Sequence, residues 1–192
     1  SSFLIDNSNN GTIDRPIVIR NYVDESGNHH TPIINFDGSA AISLGTADAP
    51  ISHAEIAGFK IVGPNSNISY TSAKSYRDGA VTAAYSTSPS NNSSIMNAYK
   101  KNIYHGRGIL SWGASYLNIH KNDVSNCPNS GIRVNNGDYI RINNNKVHKN
   151  TWWSYNAESG IVLAQSKNFD SNTSNNIIKM RIENNISYEN IN

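Results

Sequence analysis

A repeat in the second half of the chain limits the fold more than any other feature. Aligning GILSWGASYLNI, from Gly108, with GIRVNNGDYIRI, from Gly131, gives a period of 23 residues and places Tyr116 over Tyr139. Similar segments at a fixed spacing are typical of solenoids, in which each repeat buries its apolar face against its neighbours.

Further segments extend this repeat in both directions. A third copy begins with GIVLAQSKN at Gly160 and resumes, after an Asn- and Ser-rich insertion, with KMRIENNISYEN at Lys179. A looser copy, GAVTAAY, begins at Gly79. Three earlier segments are predicted to form the opening strands and one more coil: GTIDRPIVIRNY from Gly11, TPIINFDGSAAISL from Thr31 and HAEIAGFKIVGP from His53.

Apolar residues alternate with polar ones inside each copy. Ile132 and Val134 form one short run, Ile140 and Ile142 form the next, and Asn or Gly separates them. A period of two indicates β-strands rather than helices. Short strands that return every 23 residues fit one coil of a right-handed parallel β-helix, an all-β solenoid, at about 3.3 Å per residue. A leucine-rich repeat or a β-sandwich fits this pattern less well.

Asparagine recurs at one bend between the predicted strands. The segments IHKNDV (119–124), INNNKV (142–147) and IENNIS (182–187) place Asn at matching positions. Stacked amide side chains form hydrogen-bonded ladders. We therefore expect an asparagine ladder along the solenoid.

The chain length fits a single domain. All 192 residues are assigned to one β-helix, since a domain of this size buries a sizeable core. The sequence ends directly after a predicted strand pair, and an open end exposes sheet edges. We expect an N-terminal portion of a longer stack, with further coils past Asn192 or a second chain covering the end.

The stacked GIxV and IxxN coils resemble the right-handed parallel β-helix repeat proteins that include many pectate, alginate and related polysaccharide lyases. The resemblance spans nearly the whole chain and specifies a fold more sharply than a chemistry. It implies a secreted enzyme that cleaves an alginate-like or pectin-like polysaccharide by β-elimination. It also implies varied catalytic sets, some of which use calcium.

Composition excludes several other classes of function. The net charge is +2, from 16 basic and 14 acidic residues, which is too small to indicate a nucleic-acid partner. No apolar run approaches the roughly 18 residues that a membrane span requires. Cys127 is the single cysteine, so it forms no internal disulfide and is predicted to be a buried thiol.

Two stretches interrupt the rhythm of the coils, from Pro64 to Arg107 and from His148 to Ser159. Insertions on a rigid solenoid usually build its binding face. Arg107 is a substrate-binding candidate from the first stretch. Trp152 and Trp153 from the second are candidates for stacking on sugar rings, although they could equally pack the loop onto the coil.

The alternation places Arg133 and Asn135 on the outer face of one strand. Trp112 is the equivalent of Asn135 one coil earlier, while Leu110 and Val162 flank Arg133. An arginine between apolar neighbours is suited to clamp a carboxylate, and a solvated surface charge is the alternative. Trp112 and Asn135 are predicted to contact the substrate.

β-Elimination defines what a catalytic set must contain. Removing the proton beside a uronate carboxylate adds negative charge to that group, which a cation or amide must neutralise. Arg133 or Asn135 is the candidate for this role. A base must accept the proton and an acid must protonate the leaving oxygen, and Tyr155, His148 and Lys149 are the candidates.

Other functions remain open at this stage. A carbohydrate-binding or adhesin β-helix would use the same aromatic loops without catalysis. A glycoside hydrolase needs two carboxylates about 5 to 10 Å apart, and outward acids do not recur in one column. No cofactor is predicted, and calcium is the metal that the resemblance allows, but Asp170 and Glu158 are more simply interpreted as surface acids.

Overall fold

The computed structural model describes residues 3–6, 8, 10–37, 39–64, 69, 71–72, 74–75, 78, 106–151 and 158–190. Apart from helical residues between 71 and 78, regular structure in these residues consists almost entirely of strands. The strands are β1 (Phe3–Ile5), β2 (Ile17–Arg20), β3 (Tyr22–Val23), β4 (His29–His30), β5 (Ile33–Asn35), β6 (Ala40–Leu44), β7 (Ser52–Ala57), β8 (Lys60–Val62), β9 (Arg107–Trp112), β10 (Ser115–His120), β11 (Asp123–Ser125), β12 (Ile132–Asn135), β13 (Asp138–Asn143), β14 (Lys146–His148), β15 (Ile161–Ala164), β16 (Met180–Glu183) and β17 (Ile186–Tyr188).

Fifteen of these strands form three parallel five-stranded sheets. Sheet 1 contains β1, β6, β9, β12 and β15; sheet 2 contains β2, β7, β10, β13 and β16; and sheet 3 contains β5, β8, β11, β14 and β17. The chain visits sheets 1, 2 and 3 in this order five times, and each passage is called a repeat below. Strands β3 and β4 form an antiparallel hairpin inside the first repeat. The predicted all-β class is therefore confirmed.

The strand register confirms the alignment drawn from the sequence. Ile119 pairs with Ile142 in sheet 2, and Ile109 pairs with Ile132 in sheet 1. The opening segments from Thr31 and His53 form β5 to β8 as predicted. The looser copy from Gly79 lies outside the described residues.

The core consists of apolar columns between the sheets. Ile56, Ile119 and Ile142 occupy one column of sheet 2 and are all fully buried. Ile132 and Val134 are buried as predicted. Each fully buried aliphatic side chain of this size contributes about 1.5–3 kcal/mol, so these columns hold the repeats together.

The predicted asparagine ladder is present at the bend between sheets 2 and 3. The backbone N–H of Asn122 donates to Asn145 Oδ1 (3.1 Å), and that of Asn145 donates to Asn185 Oδ1 (2.9 Å). Each side-chain amide also donates to a backbone carbonyl of the preceding repeat, as from Asn145 to Ile119 (2.9 Å). The ladder thus satisfies buried backbone groups that no strand partner reaches.

A second ladder runs along the bend after sheet 3. Asn150 accepts a hydrogen bond from the backbone N–H of Cys127 (2.9 Å), and Asn190 accepts one from that of Asn150 (3.1 Å). Cys127 is completely buried, as predicted for this thiol. Within the described residues, no helix is long and apolar enough to cross a membrane.

Candidate functional site

A buried carboxylate lies on the outer side of sheet 1. Glu158, which precedes β15, is only 5% exposed. It accepts hydrogen bonds from Arg107 Nε (3.2 Å) and Nη2, and from the backbone N–H (3.0 Å) and hydroxyl (2.7 Å) of Ser130. Arg133 Nη1 lies 3.3 Å from the same carboxylate. These four residues are called the Glu158 cluster.

The register of sheet 1 brings the cluster together. Ile109, Ile132 and Ile161 are aligned across β9, β12 and β15, so Arg107 and Ser130 occupy equivalent positions at the start of adjacent strands. Glu158 reaches the same level from the segment that enters β15. In the sequence, Arg107 closes the first insertion and Glu158 lies near the end of the second. The cluster therefore joins the points at which both insertions return to sheet 1.

The electrostatics of the cluster favour the ionised carboxylate. Burial works to raise the pKa of Glu158, but hydrogen bonds from Arg107 and Ser130 outweigh it and hold the pKa below its usual value. Two guanidinium groups face one carboxylate, which leaves one positive charge in excess. The side chains of Arg107 and Arg133 are 22% and 25% exposed, so part of that charge faces solvent.

Asn135 has a different environment from the expected one. It is only 1% exposed, and its Oδ1 accepts a hydrogen bond from Arg133 Nε (2.9 Å). Its Nδ2 has no hydrogen-bond partner in the described part of the chain. Asn135 therefore positions Arg133 instead of presenting its amide to solvent. Trp112 pairs with Asn135 in the strand register, as predicted, and lines a cavity of about 270 Å³.

Two of the candidates for proton transfer, His148 and Lys149, lie on or just past sheet 3 and not on the outer side of sheet 1. His148 lies in sheet 3, where its Nε2 is 2.9 Å from Asp123 Oδ1 and its ring stacks on Tyr188 at a centroid distance of 4.8 Å. Lys149 is exposed just past β14 and lies 3.8 Å from Glu189. The remaining candidates lie outside the described residues: Trp152, Trp153 and Tyr155.

Sequence reasoning did not find the Glu158 cluster, because it treated Glu158 as a surface acid. The sequence did contain one indication of this cluster. Arg107, Ser130 and Ser159 each precede the glycine that opens a copy of the repeat. Aligning these positions would have placed Glu158 beside Arg107 and Ser130.

An aromatic column on sheet 2 was also missed, although Tyr116 was aligned with Tyr139. The rings of His53, Tyr116 and Tyr139 stack at centroid distances of 4.6 and 4.5 Å. Lys179 Nζ lies 4.7 Å from the Tyr139 ring centroid. Both faces of the Tyr116 and Tyr139 rings therefore already have partners, so these two rings are poorly suited to stack on sugar rings.

Asp170 belongs to the polar network at the end of this column. It accepts a hydrogen bond from Tyr139 Oη (2.6 Å) and one from Lys179 Nζ. The Lys179 hydrogen bond is the main cause that holds the pKa of Asp170 well below its usual value. In the described residues, no group of three or more His, Cys, Asp or Glu side chains is arranged to hold a metal ion.

Comparisons of the chain with protein-family models, curated proteins and solved structures found no match.

Proposed function

We propose that the three sheets wind into a right-handed parallel β-helix and that the protein cleaves an acidic, uronate-containing polysaccharide by β-elimination. The regular passage through sheets 1, 2 and 3 supports the winding. Connections between parallel strands of one sheet are right-handed in about 98% of known cases, which supports the hand.

The Glu158 cluster is the observation that carries the functional proposal. Arg107 and Arg133 share one carboxylate, so the Glu158 cluster keeps a net positive charge. A uronate carboxylate placed there would gain a charge-assisted hydrogen bond from a guanidinium group. As the proton beside that carboxylate is removed, the added negative charge would increase this stabilisation.

The proposed roles follow from this placement. Arg133 neutralises the uronate carboxylate, Asn135 holds the guanidinium through Nε, and Arg107 contributes charge. Tyr155 is the preferred candidate for proton transfer, because it lies three residues before Glu158 in the sequence. His148 is less suited, since Asp123 and Tyr188 already hold it on sheet 3.

Cleavage can be tested by following the ultraviolet absorbance of the unsaturated uronate that elimination creates. The probes are alginate and polygalacturonate, with a neutral glucan as control. We expect absorbance to rise with a polyuronate and Arg133→Ala to lower the rate by roughly 100-fold, the usual effect of losing one charge-stabilising donor. Arg141→Ala is the matched control, because Arg141 is an outward arginine on sheet 2 that pairs with Glu183 (2.7 Å).

A non-catalytic glycan-binding protein is the second candidate. Within the described residues, the hydrogen bonds and ion pairs of Arg107 and Arg133 involve no His, Lys or Tyr side chain that could transfer a proton. Retained binding of polyuronate without any absorbance change would favour this candidate. An equal rate for Arg133→Ala and the wild type would remove Arg133 from the site.

A further inference from the structure

A second cavity lies at the bend between sheets 2 and 3, away from the outer face of sheet 1. Its volume is about 370 Å³, within the range of small-ligand sites. The residues that carry its chemistry are Arg20, Asn21, His29, Glu55, His120 and Lys121. This cavity is called the bend pocket.

The β3–β4 hairpin contributes to the wall of the bend pocket. Later repeats pass from sheet 2 to sheet 3 through short bends, but the first repeat inserts this hairpin between β2 and β5. Asp24 fastens the turn by accepting hydrogen bonds from Ser26, Asn28 and His30. The bond to His30 is the main cause that lowers the pKa of Asp24 to about 2. The hairpin is thus stabilised by hydrogen bonds within its own turn.

A glycine in the next repeat leaves room for the side chain of Asn21. Gly58 has φ of +77°, and a Cβ atom added there would lie only 2.3 Å from Asn21 Oδ1. The backbone N–H of Asn21 donates to the carbonyl of Ala57 (3.1 Å). With its oxygen against Gly58, Asn21 directs Nδ2 to His29 Nδ1 (3.0 Å).

This contact determines the tautomer of neutral His29. Because an amide nitrogen only donates, Nδ1 of His29 must accept, and the ring proton must reside on Nε2. His29, which lines the bend pocket, therefore has an N–H donor at Nε2. The residue that orients the His29 ring is Asn21, which carries no charge.

The charged residues give the bend pocket an excess of positive charge. Arg20 and Lys121 have no acidic partner among the residues that the structure describes. Glu55 is the one acidic side chain among the lining residues, and its Oε1 lies 3.4 Å from His120 Nε2. Two cations and one N–H donor thus face a cavity with a single, partly engaged carboxylate.

We infer that the bend pocket binds an oxyanion group, with Arg20 and Lys121 as its charge partners and His29 as a further donor. The group is a carboxylate, sulfate or phosphate, carried either by an acidic sugar or by a free inorganic anion. This inference is independent of the proposed cleavage reaction, because the bend pocket shares no residue with the Glu158 cluster.

Binding can be tested on the full chain by calorimetry and amide chemical shifts. The probes are inorganic phosphate, inorganic sulfate and a uronate trisaccharide, with a neutral trisaccharide as control. We expect an acidic probe to saturate the pocket and the double variant Arg20→Gln/Lys121→Gln to weaken its binding by about tenfold or more. The double variant Arg15→Gln/Lys167→Gln removes the same charges from exposed positions elsewhere and should leave binding unchanged.

Asn21→Ala tests the role of His29 as a donor, because it removes the hydrogen bond that orients the His29 ring and changes no charge. It should weaken binding while circular dichroism stays native, because the backbone bond of Asn21 to Ala57 remains. Selective binding of the trisaccharide identifies an acidic sugar as the source, and selective binding of phosphate or sulfate identifies a free anion. The inference is overturned if no acidic probe saturates the pocket, or if the Arg20/Lys121 variant binds like the Arg15/Lys167 control.

Discussion

At the scale of single residues, two carboxylates in this protein differ in burial, and Glu158 also accepts hydrogen bonds from Ser130. Glu158 and Glu183 each face two arginines, but their side chains are 3% and 24% exposed. Glu183 lies on the outer face of sheet 2, 2.9 Å from Arg181 and 2.7 Å from Arg141. Water can replace the arginines around Glu183, whereas it has little access to Glu158. The same interaction should therefore contribute different amounts to stability.

We predict that Glu158→Gln lowers the free energy of unfolding by about 2 kcal/mol or more, since hydrogen bonds to charged groups contribute about 1.5–3 kcal/mol. The change leaves Arg107 and Arg133 without their shared anion. Glu183→Gln is the matched control and should cost less than about 1 kcal/mol. Urea unfolding of both variants measures the difference, and equal losses would contradict the role assigned to burial.

The pKa values of the carboxyl groups predict a loss of stability in acid. The pKa of Glu158 and that of Asp24 lie below their ordinary values in the folded protein. Such groups stabilise the fold above their unfolded pKa, and that contribution disappears as the pH falls through the folded pKa. The free energy of unfolding should fall between about pH 5 and pH 2. Urea unfolding across this range measures it, and a flat profile would contradict the prediction.

At the scale of elements, hydrogen bonds at the bends stabilise the fold in addition to the strand pairing. Asn145 serves two buried backbone groups at once, the N–H of Asn122 (3.1 Å) and the carbonyl of Ile119 (2.9 Å). Asn185 makes the same two kinds of bond to Asn145 and Ile142, both at 2.9 Å, but it is only half-buried. The ladder hydrogen bonds should therefore contribute most to stability where a repeat on each side shields them from water.

We predict that Asn145→Ala lowers the free energy of unfolding by about 2–4 kcal/mol, because each buried backbone group left without a partner costs about 1–3 kcal/mol. Asn185→Ala, which removes equivalent bonds where water can enter, should cost about 1 kcal/mol. Urea unfolding again provides the measurement. Similar losses for the two variants would show that water does not compensate at Asn185.

These elements also show how far sequence reasoning reaches. The inward Ile132 and Val134 and the ladder through Asn145 were predictable, because they follow a local period of two and a repeat of 23 residues. The Glu158 cluster was missed, since Glu158 lies in an insertion that breaks the repeat, and its place appears only when the residues before Gly108, Gly131 and Gly160 are aligned. The bend pocket was not predictable, since Asn21 and His29 belong to a hairpin that occurs in one repeat.

At the scale of the whole molecule, the repeats form a nearly one-dimensional stack. The strands of each repeat pair only with strands of neighbouring repeats, so stability should depend on how many neighbours a repeat has. Ile142 in the fourth repeat is fully buried, but its column partner Ile182 in the fifth is 50% exposed. The apolar columns thus weaken toward the end of the stack that the structure describes.

Amide hydrogen exchange tests this gradient at one position of three successive repeats. Asp123, Lys146 and Ile186 occupy the same column of sheet 3, and each donates its backbone N–H to a carbonyl, at 2.8, 2.8 and 2.9 Å. Since the hydrogen bonds match, differences in exchange report the opening of whole repeats. We predict slow, similar exchange for Asp123 and Lys146 and faster exchange for Ile186, whose side chain is 63% exposed. Equal protection at all three amides would instead mean that the stack opens as one cooperative unit.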